Sequence, residues 1–141
     1  MKILIVGGTA DGRHLASVLH DLGFELTYSI AGIVRKASLP CAVVSGGFSQ
    51  FGGLQQYLLD NLFTHIFDVT HPFAQKMSDK IAQVSAELSL PAIRFQRAQW
   101  QKMEDDQWIE VTQWDELIKK VRPFESLFIT AGQVKQHVID Q

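Results

Sequence analysis

The sequence predicts an α/β fold, a parallel sheet with helices on both faces, followed by the start of a second α/β domain. Three observations carry this. Short β-branched runs alternate with segments of helical periodicity, and the first such strand–helix–strand unit spans about 30 residues. A glycine pair, Gly7-Gly8, stands between the first strand and the first helix. Glycine or proline then punctuates the ends of elements, at Gly23, Gly46-Gly47 and Pro91.

The elements follow in order. Residues 2–6, β-branched and ending at glycine, read as a buried strand. Leu15, Val18, Leu19 and Leu22 recur at helical spacing and predict one helical face, with Gly23 at the position after the helix, where glycine accepts positive φ. Residues 24–30 read as a second strand, residues 31–40 as an irregular connection, and residues 41–45 as a short third strand broken by Gly46-Gly47-Phe48. A helix follows Gly52-Gly53 with Leu54, Tyr57 and Leu58 inward, and residues 65–69 form the next strand. The clearest helix spans about residues 74–88, with Phe73, Met77, Ile81, Val84 and Leu88 on one stripe. Pro91 stops it before a fifth strand over residues 92–95.

Past Arg97 the character changes. Residues 99–107 are polar, residues 108–111 and 126–130 read as strands, and Trp114, Leu117, Ile118 and Val121 form another helical stripe. The sequence therefore divides into residues 1–97, a linker and crossover over 98–112, and the beginning of a second domain over 113–141. A parallel strand needs a crossover and a neighbour, so that second domain is expected to lack most of its parts.

Composition bounds the function. The 141 residues are 46% hydrophobic with a formal net charge of −2 and interspersed signs, which argues against a nucleic-acid or membrane surface. A single cysteine, Cys41, forms no internal disulfide and fits a reducing cytoplasm. The apolar run before Gly7 is too short for a signal-peptide core, and no run approaches the ~18–20 residues of a membrane span.

The segment Gly7-Gly8-Thr9-Ala10-Asp11-Gly12-Arg13 lies between the first strand and the first helix. Backbone N–H groups at such a helix start face a bound pyrophosphate, and glycine lets the backbone approach it. Thr9 stands where a GxGxxG pattern has its second glycine, so the segment reads either as a phosphate loop or as a glycine turn needed for geometry. The second strand ends Ser29-Ile30-Ala31-Gly32 without the acid that usually meets an NAD ribose. Ser29 offers a hydrogen bond there, and Arg35 or Lys36 either meets a 2′-phosphate, favouring NADP over NAD, or is an ordinary loop charge.

Gly46-Gly47-Phe48 reads as a close backbone approach with Phe48 free to cover a planar ring, or as a turn around a core phenylalanine. His71 follows Thr70 at a strand's C-terminal end, where ligands of open α/β sheets gather, and Pro72 stiffens its loop. Asp68 is placed to cap or orient that loop. A lone histidine is more often structural than catalytic, so position alone makes His71 a candidate and no more. No serine sits in a GxSxG elbow, and the five histidines show no metal-ligand spacing, so no metal is expected. Arg94, Arg97 and Trp100 suit a multiply carboxylated ligand through bidentate pairing, or mark a solvated strand end with Trp100 at a domain seam.

Together these segments resemble the precorrin-6A reductase family of cobalamin biosynthesis, including its cobalt-precorrin-6A counterpart. The resemblance rests on Gly7-Gly8-Thr9 with Arg13, Ser29-x-Ala31-Gly32, Gly46-Gly47-Phe48 with Gly53-Leu54, Asp68-x-Thr70-His71-Pro72-Phe73-Ala74, and Pro91-x-x-Arg94-x-x-Arg97-x-x-Trp100. The Thr-His-Pro-Phe-Ala segment is the most specific, and the likeness runs from Met1 to about Gly132. It implies two Rossmann-like domains, with NADPH on the first and a tetrapyrrole substrate in the cleft between them. By the same resemblance, residues 7–13 (Gly7, Gly8, Thr9, Asp11, Gly12 and Arg13) and Ser29, Ala31, Gly32 and Arg35 hold the adenosine phosphates. Gly46, Gly47 and Phe48, with Thr70, His71, Pro72 and Phe73, line the nicotinamide side. Arg94 and Arg97 meet the acetate and propionate groups of the macrocycle. The implied reaction is hydride transfer from NADPH to a carbon–carbon double bond of precorrin-6A, with positioning doing most of the catalysis. A catalytically incomplete NADP(H)-binding module is the alternative, and an unrelated α/β interaction domain a more distant one.

Overall fold

The computed structural model describes residues 1–32, 39–98, 101–130 and 136. The strands are β1 (Lys2–Gly7), β2 (Glu25–Ile30), β3 (Ala42–Ser45), β4 (His65–Asp68) and β5 (Ala92–Arg94). The helices are α1 (Ala10–Asp21), α2 (Leu54–Asp60), α3 (Gln75–Leu88) and α4 (Trp114–Val121), with a 3₁₀ turn at Phe48–Phe51. The five strands form one sheet in the order β3-β2-β1-β4-β5, every pair parallel. The α/β class expected from the sequence is the class observed.

Chain direction explains the order. β1, β2 and β3 step one way across the sheet, and β4 then returns to the other side of β1. Register fixes the faces. Ile3 and Ile5 of β1 pair with Leu26 and Tyr28 of β2, and these four join Ile30, Ala16 and Val69 in one core. Leu4 and Val6 point the other way, into a core with Phe48, Leu54, Tyr57, Leu58, Phe63, Ile66, Ile81 and Val84. Ile3, Leu4, Ile5 and Ile66 are wholly buried, and each such side chain contributes about 1.5–3 kcal/mol on leaving water.

The chain divides into two compact units, Met1–Ala98 and Gln99–Gln141. In the first unit two helical faces differ from expectation. On α1 the fully buried positions are Gly12 and Ala16, with Leu15 and Leu19 beside them, while Val18 and Leu22 are exposed. The reason is steric: small residues bring the helix axis close to the sheet, and the larger ones spread to its flanks. On α3 the buried stripe is Ser78, Ile81 and Val84 with Met77 and Leu88 at its edge, and Phe73 lies outside it at 93% exposure. α3 begins at Gln75, so Phe73 belongs to the preceding loop and is not carried round by the helix.

Helix ends follow local chemistry. Gly23, at φ 82°, donates its N–H to the His20 carbonyl and Phe24 donates to Leu19, closing α1 as its position in the sequence anticipates. Pro91 follows α3, and its carbonyl accepts the Ile66 N–H at 3.0 Å, which starts the β4–β5 pairing. In the second unit, Trp114, Leu117, Ile118 and Val121 are the least exposed positions of α4. Asp115 and Glu116 open that helix, and Lys119 and Lys120 close it, in the sense its dipole favours. Residues 108–111 and 126–130, expected as strands, pair with no neighbour among the described residues. An extended apolar segment becomes a strand only where another supplies its ladder. Among the described residues no helix is long and apolar enough to cross a membrane.

Candidate functional site

All five strands are parallel, so the segments that leave their C-terminal ends emerge along one edge of the sheet. In spatial order these are Gly46-Gly47 after β3, Ala31-Gly32 after β2, the Gly7-Gly8-Thr9 turn after β1, residues 69–74 after β4, and residues 95–97 after β5. The reversal of chain direction falls between β1 and β4, the point at which open parallel sheets form a ligand crevice. Most of the residues singled out in the sequence therefore share this edge. Arg35, Lys36 and Trp100 lie outside the described residues.

The edge also separates two segments that the family resemblance places together. Gly46-Gly47-Phe48 follows β3 and Thr70–Phe73 follows β4, with β2 and β1 between them. Three strand spacings amount to about 14 Å. The two segments thus leave the sheet on opposite sides of the glycine turn. Phe48 is further committed: it is 6% exposed and packs on Tyr57 at 5.4 Å between ring centroids. Its ring is part of the core.

The glycine turn is held from below. Tyr28, wholly buried in β2, accepts the Gly8 N–H on its hydroxyl at 2.9 Å. A Cβ on Gly7 would overlap that phenol, and one on Gly12 would stand 2.8 Å from the hydroxyl and 2.9 Å from Val69 Cγ2. Gly8 differs from both: its φ is +138° and nothing lies within 4 Å of where a Cβ would be. Gly7 and Gly12 thus serve close packing within the protein, and Gly8 opens outward. Thr9 caps α1, its Oγ1 accepting the Gly12 N–H at 3.1 Å and donating to the Val69 carbonyl at 3.2 Å. The N–H groups of Ala10 and Asp11 lie in the first turn of α1, ahead of any intrahelical acceptor. An open Gly8 beside unpaired first-turn N–H groups fits a phosphate group. Arg13 is exposed one position beyond Gly12.

On β2, Ser29 is buried between Val6 and Val44, while Ala31 and Gly32 are exposed beyond the strand. Ser29 therefore offers little surface to a ligand, and Ala31 and Gly32 present exposed backbone at the edge.

Across the crevice, Asp68 ends β4 at 2% exposure. Its Oδ1 accepts the Thr70 N–H at 3.1 Å and the Thr70 hydroxyl at 2.7 Å, and Ser78 of α3 lies 3.3 Å from that hydroxyl. Asp68 Oδ2 faces Arg94 Nε at 3.6 Å, and Arg94 Nη2 donates to Gln75 at 3.2 Å. One buried carboxylate therefore ties the ends of β4 and β5 to the His71 loop. Above it, His71 is exposed, its Nδ1 accepts the Phe73 N–H at 3.3 Å, and its ring leans on Phe73 at 4.9 Å. In the neutral ring that assignment leaves the proton on Nε2, directed away from the loop backbone. Pro72 is half-buried in the bend.

Both arginines expected to meet substrate carboxylates have protein partners. Arg94 is turned inward to Asp68, and Arg97 Nε donates to Asp11 Oδ2 at 2.6 Å. Arg97 holds the Asp11 carboxyl below the ordinary aspartate value, and Asp11 raises the guanidinium in turn. A depressed carboxyl contributes above its unfolded pKa of about 3.9 and loses that contribution as pH falls through the lower folded value. A carboxyl NMR titration should place Asp11 below an ordinary aspartate, with Arg97→Gln moving it back up. An ordinary midpoint in the unsubstituted chain would contradict the pair.

Beside this pair, Asp11, His14, Leu15 and Val18 of α1 face Val69 and Phe95 across a cavity of about 370 Å³. The four α1 positions are one helical stripe, and the size is that of a small-molecule pocket. Tyr28, Asp68's full role and this cavity were not singled out in the sequence as site features. Tyr28 carries a usable signal, since a tyrosine inside a buried parallel strand needs a partner for its hydroxyl.

The chain matches the family model for precorrin-6x reductase CbiJ/CobK over residues 2–140. It is 35% identical over 111 residues to the precorrin-6A reductase of Rhodobacter capsulatus, covering 78% of this chain and 44% of that one. To the precorrin-6A reductase of Mycobacterium tuberculosis it is 40% identical over 100 residues, covering 70% and 41%. To the cobalt-precorrin-6A reductase of Priestia megaterium it is 28% identical over 98 residues, covering 68% and 38%. The solved structure of a CobK precorrin-6A reductase aligns with a TM-score of 0.74 and 32% identity, over 84% of this chain and 48% of that one. The chain thus spans less than half the length of these curated relatives.

Proposed function

The chain belongs to the precorrin-6x reductase family, and on that premise we propose that it binds NADPH along the C-terminal edge of its sheet for reduction of a carbon–carbon double bond in precorrin-6A or cobalt-precorrin-6A. The observation that carries this reading is the open Gly8 at the start of α1, beside the β1–β4 crevice. In this reading residues 1–97 are the cofactor domain, 98–112 the connection, and 113–141 belong to a second α/β domain.

Bound there, NADPH supplies a hydride at its nicotinamide ring. The chain's own residues bind and orient. The first-turn N–H groups of Ala10 and Asp11 hold the pyrophosphate, Gly8 leaves room for its approach and Thr9 caps the turn, with Gly7 and Gly12 keeping the turn tight and Arg13 adding charge at its rim. Ala31, Gly32, Gly46 and Gly47 flank the adenosine, because they lie on the β2–β3 side of the turn. Arg35 is the cation assigned to a 2′-phosphate. Thr70, His71, Pro72 and Phe73 take the opposite, nicotinamide side. There His71 offers Nε2–H to cofactor or substrate, and Asp68 holds the loop that carries it. Arg97 exchanges Asp11 for a substrate carboxylate, and Arg94 contributes the part of its guanidinium not engaged by Asp68 and Gln75.

Calorimetric titration tests the reading. NADPH should bind at least about tenfold more tightly than NADH, the worth of one charge-assisted hydrogen bond, and absence of binding by either nucleotide would overturn it. Turnover is a separate matter. A nucleotide-binding module without turnover is the second reading. Oxidation of NADPH that depends on added precorrin-6A would exclude that second reading.

A further inference from the structure

Tyr28 has no part in the site as the sequence presents it, yet the phosphate-facing turn is built around it. The phenol rises from the middle of β2, where Tyr28 pairs with Ile5 on one side and Val43 on the other, and none of it is exposed. Its hydroxyl ends beneath the turn, against the spaces that side chains on Gly7 and Gly12 would fill, and takes the Gly8 N–H at 2.9 Å. Burial raises its pKa, so it remains a neutral phenol through the physiological range. From the other flank Thr9 Oγ1 ties the same turn to the Val69 carbonyl.

We infer that Tyr28 is the positioning residue of the cofactor turn: its hydroxyl draws the Gly8 N–H inward and so leaves pyrophosphate binding to the N–H groups of the first turn of α1. The inference rests on the proposed NADPH site. Its physical content is a choice of direction. A glycine peptide rotates at little cost, and without an acceptor below it the Gly8 N–H turns outward and reshapes the cradle. With the hydroxyl in place, the peptide between Gly7 and Gly8 has one orientation before any ligand arrives, and preorganisation of this kind improves affinity.

The test compares the chain with Tyr28→Phe, which removes only the hydroxyl from a packed ring. NADPH should bind the variant roughly tenfold more weakly, as expected for one lost hydrogen bond. Adenosine 2′-monophosphate, which lacks the pyrophosphate, should bind both proteins equally. Equal NADPH binding by the two proteins overturns the inference and leaves the NADPH reading intact, and parallel loss of both ligands assigns Tyr28 a merely structural role. Failure of the unsubstituted chain to bind NADPH overturns the parent reading and the inference with it. The Gly8 amide of the unsubstituted chain provides a check that needs no variant. It should resist hydrogen exchange with and without NADPH. An amide that exchanges freely in the free chain and becomes protected only when NADPH binds would mean that this N–H goes to the phosphate, and would overturn the inference.

Discussion

Gly8→Val is expected to abolish NADPH binding, a loss of at least about a hundredfold, while the circular dichroism of the fold persists. The same change one residue earlier should have the opposite character. At Gly8 nothing lies within 4 Å of an added Cβ; the valine blocks the approach of a phosphate and strains a backbone at φ +138°. That strain costs about 1–3 kcal/mol, which a domain of this size ordinarily survives. At Gly7 a Cβ would overlap the Tyr28 phenol, which is wholly buried and has nowhere to move. Overpacking of that kind costs about 1–3 kcal/mol, and even Gly7→Ala should lower the denaturation midpoint clearly. Chemical denaturation alongside nucleotide titration separates the two. If Gly8→Val binds NADPH normally, the turn does not hold phosphate; if Gly7→Ala is as stable as the parent, Tyr28 does not lie where it is described.

Asp68→Ala should be the most damaging change on the other side of the crevice, with a cost of about 2–3 kcal/mol. The carboxylate is 2% exposed and serves Thr70 twice and Arg94 once. The pairing with Arg94 is the smaller part, because it spans 3.6 Å and Arg94 is 36% exposed, so solvent screens it. The larger part is the unsatisfied Thr70 N–H and hydroxyl that alanine would leave. Asp68→Asn keeps an oxygen for Thr70 and should cost less than half as much. Denaturation curves give the free energies, and amide exchange at residues 70–73 should quicken in the alanine variant. Equal stability of Asp68→Ala and the parent would mean that the His71 loop is held by something else.

What was legible in the sequence was mostly local. The strands over residues 2–6 and 65–69, the inward set Leu54, Tyr57 and Leu58, the stop at Pro91 and the cap at Gly23 each depend on a few neighbouring residues, and each is observed. The spacing of the large apolar residues does not mark the buried face of α1, which is set by Gly12 and Ala16, whose smallness permits the close approach to Tyr28 and Val69. Phe48 and Phe73 exchanged parts for a related reason. Periodicity does not say whether an aromatic beside a helix start faces the core, and here Phe48 does while Phe73 does not.

The candidate site was legible as a set of segments and not as an arrangement. Sequence order places Gly46-Gly47-Phe48 between the glycine turn and Thr70, whereas sheet order puts it on the far side of the turn from Thr70. The pairing of Arg97 with Asp11 spans 86 positions, and that of Arg94 with Asp68 joins two strand ends. Neither leaves a local pattern, so the sequence offers both arginines to a ligand and only the fold brings their partners beside them.

In the proposed reading NADPH lies across the C-terminal edge of the sheet, with its phosphates at the turn after β1 and its nicotinamide end beside the loop after β4. Backbone amide spectra recorded during an NADPH titration test it most directly. The largest shifts are expected at residues 8–13 and 69–73, with smaller ones at Gly32, Gly46 and Gly47 and none along α2 or the outer face of α3. Shifts confined to those helices, or no shifts at saturating nucleotide, would contradict it.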